Sequence, residues 1–397
     1  MKPIHIVVIG GGYGGIRAVE HLSKDHSFTI TLIDKNPYHY LQAEVYDFIA
    51  NKVDMSHVMI DLPSLFNSFA SVQFICEEVT SVDTVARNVI TERQNISYDQ
   101  LIIATGSRTY FPSFIPGLRE HTHGVKSIPT ALDFKQQFER SLLNRIEAQK
   151  EGCAVEAFNI VIGGAGLSGV EIAAEMAAYA NHFYQNGNFG CRSVDVYLID
   201  AYETILFGMD PFLIKSAHER LVKLGVHVWH NNRISEVRAN EILLDNGQTL
   251  PFEFMIFTGG ICASSISEYL GFPTNPKGHL IVDEALNVPG YDNVYAIGDI
   301  AHSTDAEGKL IPPTAQLAER QAEHTAQNIL RTLQGKGKLP FRYRNMGIMI
   351  ALGGEYGAGM LPGGIKVKGY LAYLIKKLIF KMYTVPLRGR SAIGKRR

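Results

Sequence analysis

The chain opens with a short continuous apolar run, His5-Ile6-Val7-Val8-Ile9, that enters the glycine-rich turn Gly10-Gly11-Gly12-Tyr13-Gly14-Gly15. A stretch of helical spacing follows, and then a second apolar run from Phe28 to Ile33 closed by Asp34. The same plan recurs at Asn159-Ile160-Val161-Ile162-Gly163, continued by Gly164-Ala165-Gly166-Leu167-Ser168-Gly169 and a helix predicted from Val170 to about Tyr179. Its second apolar run, Val194 to Ile199, is closed by Asp200. Continuous rather than alternating apolar runs suit strands covered on both faces, so each repeat predicts a strand–helix–strand unit of a parallel sheet. The first acid stands 19 residues beyond the third glycine and the second 31 beyond, with the polar stretch Asn181 to Ser193 read as an insertion before the strand. Three further strand-then-turn segments follow the pattern: Tyr98 to Gly106 ending in Ala104-Thr105-Gly106, Phe254 to Gly260 ending in Gly259-Gly260, and Val294 to Asp299.

Glycines at this place have a chemical use. A dinucleotide's pyrophosphate sits against a helix N-terminus, where unpaired N–H groups and the helix dipole favour negative charge, and glycine lets the backbone come close. An acid at the end of the second strand accepts hydrogen bonds from a ribose hydroxyl and repels a 2′-phosphate, so Asp200, with no adjacent arginine, favours NADH over NADPH. One such turn also arises from helix and strand packing alone. Two in the same context predict two dinucleotide sites. Gly298-Asp299 is either a simple turn or a carboxylate that reaches a polyol.

At 397 residues and 46% hydrophobic content the chain is long enough for two or three cored units. The formal net charge of −1 gives no overall attraction to nucleic acid. The balance is uneven, however: the last 42 residues hold ten basic and no acidic side chains, which predicts an anionic partner for that end. From Tyr370 to Val385, Leu371, Leu374, Ile375, Leu378, Ile379, Met382 and Val385 gather on one helical face, with Lys376, Lys377 and Lys381 opposite beside Tyr370 and Tyr373. Such a helix lies in a bilayer interface, each lysine adding about 1 kcal/mol near anionic lipid. A core or dimer-interface helix with a solvated basic face is the other reading, and the residues after it are open to disorder. No apolar run reaches about 18 residues, so no spanning helix is expected. The opening run is read as a strand and not a signal peptide. Cys76, Cys153, Cys191 and Cys262 are scattered without ligand spacing, which argues for a reducing compartment, no metal site, and cysteines buried as apolar residues.

These motifs together resemble the two-dinucleotide-binding-domain flavoprotein reductases over essentially the whole chain. Within them, Ile311-Pro312-Pro313-Thr314-Ala315-Gln316-Leu317-Ala318-Glu319-Arg320-Gln321, Phe341-Arg342-Tyr343 and the basic amphipathic end are similar to the type II NADH dehydrogenases, single-subunit NADH:quinone oxidoreductases that do not pump protons. Pro116-Gly117, Lys126-Ser127 and Ala131-Leu132 resemble that family's entry into the NADH domain. The resemblance implies an α/β fold with two Rossmann-like domains: residues 1–112 with 274–335 for FAD, 113–273 for NADH, and 336–397 as a membrane-associating region. It implies that Gly10, Gly12 and Gly15 cradle the FAD pyrophosphate, Asp34 and Lys35 hold the adenosine end near Val79, Ala104, Thr105, Gly106 and Ala315 line the cofactor, and Asp299 takes the ribityl chain. Gly164, Gly166, Gly169 and Asp200 would bind NADH, flanked by Gly259 and Gly260. Glu171 would lie where nicotinamide meets flavin, although an acid in a first helical turn is also explained by the dipole.

The helix near Pro313 would begin with proline at its first position, aim its dipole at the flavin, and offer Gln316 to a quinone carbonyl. The family's second glutamine is Arg320 here, and a basic residue often found near position 357 is Gly357, both where the quinone headgroup is expected. Catalytic roles are therefore expected for Glu171, Gln316 and Arg320. Disulfide reductases of this fold need a cysteine pair beside the flavin, and residues 36–75 contain none. Sulfide:quinone reductases also carry sulfur on cysteine, and none follows Cys262. The expected partners are NADH, a membrane quinone (ubiquinone or menaquinone) and an anionic membrane surface, with a homodimer open and nucleic acid excluded. The expected location is peripheral, on the cytoplasmic side of the inner (plasma) membrane. A soluble-carrier reductase and a flavin- and NADH-binding sensor resembling apoptosis-inducing factor are the alternatives.

Overall fold

The computed structural model of the chain describes residues 3–151, 158–186, 194–305, 307–344 and 346–396. Strand Ile4–Ile9 takes the centre of a five-stranded parallel sheet, between Phe28–Asp34 and Gln100–Ile103, with Val72–Cys76 and Val294–Ala296 outermost. Its position follows from its composition. Ile6 and Val8 enter one apolar cluster and Val7 and Ile9 another, so both faces are covered. Strand Phe158–Gly163 repeats this in a four-stranded parallel sheet, between Val194–Ile199 and Phe254–Phe257, with His227–Trp229 beyond. Ile160 and Ile162 face one cluster and Val161 the other. The predicted α/β class and its paired parallel units are thus what the chain adopts.

The helices are α1 (Tyr13–Leu22), α2 (Val45–Ile49), α3 (Leu62–Phe66), α4 (Ile128–Lys150), α5 (Leu167–Asn186), α6 (Pro211–Leu224), α7 (Ala315–Leu333) and α8 (Tyr370–Gly394). Each glycine turn leads into α1 or α5, which returns along its sheet. Antiparallel pairing of Ser107–Thr109 with Ile261–Ala263 joins the two units. Strand Val294–Ala296 then brings the chain back to the first sheet beside Gln100–Ile103, and α7 lies on α1 with Arg17 Nη2 at 2.5 Å from Glu319 Oε2.

Three boundaries differ from the sequence expectation. Helix α5 starts three residues early and takes in Asn181 to Asn186, where Asn181 Nδ2 donates to Leu224 O at 2.9 Å, so the supposed insertion is partly helix and its remainder, 187–193, lies outside the described residues. Helix α7 starts at Ala315, and Thr314 is its cap, its Oγ1 accepting from Leu317 N at 3.1 Å. Pro313 therefore precedes the helix instead of opening it, because the hydroxyl satisfies an orphan N–H and proline cannot. Helix α8 runs through Pro386 to Gly394, held by burial of Leu387 and Ser391. A Cβ at Gly394 would stand 1.7 Å from Ser64 O, so the end of α8 crosses the backbone of α3 at glycine distance.

The larger correction concerns which way α8 faces. Lys376 and Lys377 point into the protein, not toward a basic outer face. Lys377 Nζ lies 2.6 Å from Glu44 Oε2 and 2.5 Å from Asp47 Oδ2, carboxylates whose side chains are only 1% and 2% exposed. Arg388 donates to His57 O at 2.6 Å and Arg390 pairs with Glu20 at 2.9 Å, so these two also turn inward. Buried carboxylates demand cations, and helix rotation answers that demand before any solvent-facing preference. The expected apolar stripe is consequently outermost: Leu371, Leu374, Leu378, Ile379, Met382 and Val385 are exposed and Ile375 is half-buried. Among the described residues no helix is long and apolar enough to cross a membrane.

Two outcomes follow from this docking. Lys377→Met leaves Glu44 with no cation in hydrogen-bond reach and should cost about 3 kcal/mol in urea unfolding, partly restored by adding Glu44→Gln; a cost under about 1 kcal/mol would mean the pair behaves as a surface pair. His39 is buried, its Nε2 3.0 Å from the Tyr383 hydroxyl, and burial pushes its imidazole down to about 3. It stays neutral in the fold and takes a proton when unfolded, so stability should fall as pH drops from about 6.5 toward 3, by up to about 1.4 kcal/mol per pH unit. His39→Gln should flatten that slope in acid unfolding curves; an unchanged slope would assign it to other groups.

Candidate cofactor and active site

The two glycine turns divide their glycines by purpose. Gly10 has φ +107°, and a Cβ there would lie 2.5 Å from Ala104 O; one on Gly15 would lie 1.8 Å from Gly10 O. The second turn matches: Gly164 has φ +105°, a Cβ there would lie 2.8 Å from Gly259 Cα, and one on Gly169 would lie 1.9 Å from Gly164 O. These four glycines are demanded by the crossing of turn, helix and neighbouring strand. Gly12 and Gly166 are not, for a Cβ at either would meet no protein atom within 4 Å. The fold leaves both middle positions bare at a helix start, and α1 has no side-chain cap at Gly12. That is the room a pyrophosphate needs, so both turns fit a dinucleotide.

The acids closing each second strand secure these turns. Asp34 Oδ2 accepts from Gly11 N at 2.6 Å and Oδ1 from Asn36 N at 2.7 Å; burial pushes its carboxyl up against the lowering effect of those bonds. Asp200 Oδ2 accepts from Ala165 N, and its Oδ1 from Tyr202 N at 2.9 Å. Lys35 pairs with Glu78 at 3.0 Å on the exterior, and Val79 is buried in the cluster that holds Ile33.

Between the sheets, the Ser264 hydroxyl lies 2.8 Å from Thr105 Oγ1, and Ser264 N donates to Gly106 O, tying the Ala104-Thr105-Gly106 turn to the chain just beyond Gly259 and Gly260. Asp299 Oδ2 accepts from Ser107 Oγ at 2.7 Å, and Lys126 Nζ stands 3.6 Å from it and 2.9 Å from Ser107 Oγ. Gln321, fully buried on α7, accepts from Gly298 N at 2.7 Å and donates to Ser303 Oγ at 2.9 Å, which clamps the Gly298-Asp299 turn onto the helix carrying Ala315 and Gln316. Arg320 lies one turn beyond Gln316, exposed, with Nη1 3.1 Å from Glu323.

Glu171 stands further along its helix than the dipole explanation requires. Because α5 begins at Leu167, Glu171 is past the first turn, where the dipole account weakens. It is half-buried, and its Oε1 accepts from Lys376 Nζ at 2.6 Å and from Ala351 N at 3.0 Å. Burial raises its pKa, opposed by the ammonium and the amide. Glu175, one turn on, is likewise pushed up by burial and meets Lys52 at 3.0 Å. Among the described residues no hydrogen bond joins Glu171 to Gln316 or Arg320. At Gly357 a Cβ would lie 2.9 Å from Ile350 O and 3.2 Å from Tyr373 N, so the strand leaves no room for a basic side chain.

Sequence reasoning missed Gln321, Lys126, and the cluster in which Tyr13 meets His39 edge-on at 4.8 Å and Tyr383 at 4.9 Å. Gln321 left a usable signal: it interrupts the inward stripe Leu317, Ala318, Ala322, Thr325, Ala326, and a polar residue there needs partners. The cysteines correct another expectation. Cys76, at the end of edge strand Val72–Cys76, is exposed and Cys262 is half-buried, while Cys153 and Cys191 lie outside the described residues. Gly12→Ala should fold normally by circular dichroism yet retain at least tenfold less flavin after purification, whereas Gly15→Ala should fail to fold. Full flavin in Gly12→Ala would detach that position from ligand binding.

Comparison with known proteins agrees with this geometry. The chain is 29% identical to the demethylphylloquinone reductase NdbB of Synechocystis sp., over 96% of this chain and 92% of the relative. It is 27% identical to the type II NADH:quinone oxidoreductase of Staphylococcus epidermidis, over 94% and 93%. In fold it is similar to NDH2 from Plasmodium falciparum solved with NADH (TM-score 0.84, 18% identity, 99% of this chain and 97% of that one). The sulfide:quinone oxidoreductase of Aquifex aeolicus is similar in fold as well (TM-score 0.80, 21% identity, 98% and 92%). Residues 4–322 match the family described as pyridine nucleotide-disulphide oxidoreductase, and with both nucleotide turns inside that span, the chain belongs to this family.

Proposed function

We propose that the chain is an FAD-dependent NADH:quinone oxidoreductase that works at a membrane surface without pumping protons. The observation that carries this reading is α8, whose inner side is ion-paired to Glu171 while its outer side is bare hydrocarbon. A lipid-facing surface thereby stands one ion pair from the residue that follows the second glycine turn. The similarity in sequence to a demethylphylloquinone reductase and to type II NADH:quinone oxidoreductases supports the same acceptor class. Of the lysines expected to attract anionic lipid, Lys381 is exposed, and exposed Lys366 and Lys368 take the place of Lys376 and Lys377.

Bound FAD supplies the relay of two electrons from NADH to the quinone. The protein's share is positioning. Residues 1–112 and 274–335 form the FAD unit, with Gly10, Gly12 and Gly15 at the pyrophosphate, Asp34 at the adenosine end, Thr105 and Gly106 along the cofactor and Asp299 at its polyol. Residues 113–273 form the NADH unit, with Gly164, Gly166, Gly169 and Asp200 at the dinucleotide and Gly259 and Gly260 beside it. Gln316 donates to a quinone carbonyl, and Arg320, in place of a second amide, adds a cation one turn away. Glu171 and Lys376 hold a proton between Oε1 and Nζ next to the acceptor side. The quinone, ubiquinone or menaquinone, arrives from the bilayer, and the proposed location of the enzyme is peripheral, on the cytoplasmic side of the inner membrane.

Purified protein should be yellow, bleach with NADH under anaerobic conditions, and recover its colour on adding a quinone; bleaching without quinone-dependent recovery would remove the acceptor assignment. Truncating the tail would strand Glu44 and Glu171 without their lysines and leave Asp47 with Lys52 alone, so the membrane role is tested by Leu374→Asp with Leu378→Asp and Met382→Asp. This triple variant should lose at least tenfold in liposome binding and keep its activity with a soluble acceptor. Retained liposome binding, with a doubled solution mass in the unaltered protein, would instead assign the stripe to a homodimer.

A further inference from the structure

Helices α1 and α7 and residues 339–342, 344 and 346 line a cleft of about 650 Å³, of which the electron-transfer reading uses Arg320 alone. Its second wall is firmly built. Asn328, buried on α7, accepts from Leu339 N at 2.9 Å and donates to Leu339 O at 3.0 Å, and His324 Nε2 lies 2.8 Å from the same carbonyl. Phe341 N donates to Glu284 O at 2.6 Å, and the His324 ring meets the Phe341 ring edge-on at 5.4 Å. This anchoring holds Arg342 and Arg344 across the cleft from Arg320.

The charge in the cleft is unbalanced. Among the described residues neither Arg342 nor Arg344 has a carboxylate within 4.0 Å. The one acid on the lining, Glu323, is already shared by Arg320 at 3.1 Å, Arg17 at 3.8 Å and His21 at 3.6 Å. Three guanidinium groups around one shared carboxylate leave an unsatisfied demand for anion, and the planar donor fork of arginine suits the paired oxygens of a phosphate. Leu339 and Met346 add exposed apolar wall beside these donors. The turn of α1 that brings His21 to the cleft also carries Glu20, which binds Arg390 of α8.

We propose that this cleft binds the phosphate of an anionic phospholipid, with Arg342 and Arg344 as its principal donors and the glycerol and first acyl carbons against Leu339 and Met346. The inference rests on the cleft and not on the electron acceptor. It is tested with oxidised holoenzyme by titration calorimetry, using monomeric dihexanoyl phosphatidylglycerol, dihexanoyl phosphatidylcholine and inorganic phosphate as separate probes. The phosphatidylglycerol should bind at one site, at least tenfold more tightly than either other probe. Arg342→Gln with Arg344→Gln should weaken it at least tenfold with the flavin spectrum unchanged, and Glu323→Gln should tighten it severalfold. Phosphatidylglycerol affinity indifferent to both variants would overturn the site, and inorganic phosphate binding equally well would overturn the lipid. Since no turnover enters the measurement, either result is separable from a failure of the quinone assignment.

Discussion

Two neighbouring lysines on α8 neutralise carboxylates that the rest of the molecule has buried. Lys376 reaches Glu171 on the helix of the second nucleotide unit, and Lys377 reaches Glu44 and Asp47 at the edge of the first. Consecutive residues on a helix diverge by about 100°, so a single turn of α8 can serve two separate units. Charge pairing in a dry setting therefore adds a carboxyl-terminal tie between units that the pairing of Ser107–Thr109 with Ile261–Ala263 also joins. Lys52 extends the network, meeting both Asp47 and Glu175. With four carboxylates against three ammonium groups, burial raises the pKa of Glu171 and Glu175 while Asp47, between two lysines, is held low despite its own burial.

The glycine turns show a second constraint, in which sequence identity and structural necessity come apart. Gly10, Gly15, Gly164 and Gly169 answer to neighbouring backbone, whereas Gly12 and Gly166 answer to nothing inside the protein. Two turns that share this division share a purpose that packing does not explain. Asp34 and Asp200 each spend one oxygen on the amide after the first glycine, which fixes the shape of the turn before any ligand arrives.

Much of this was legible from the chain. The apolar runs around Val7 and Val161 are unbroken and not alternating, and they fold as the centres of parallel sheets. The stripe on α8 was legible too, since its period is set by local geometry. What could not be read was the direction in which the stripe faces. Lys377 looks like a solvent residue until Glu44 and Asp47, over three hundred positions earlier, are known to be buried beneath it, and Lys376 until its pairing with Glu171 is seen. Thr314 was overlooked as a cap because the prolines before it carry a stronger local signal, and Cys76 was misjudged because its exposure depends on its strand lying at a sheet edge. In each case a long-range partner or a sheet position decided the outcome.

The junction at Gly369 carries a mechanical implication. This residue, at φ +77°, ends strand Ile365–Gly369 and starts α8 without a spacer, so the strand ladder dictates the azimuth of everything after it. Losing or gaining one residue here would swing the oily ridge by more than a quarter revolution toward the interior and lift the two ammonium groups off their acids. A hairpin seemingly remote from both nucleotide turns thus acts as the angular stop that keeps hydrocarbon outward and charge inward.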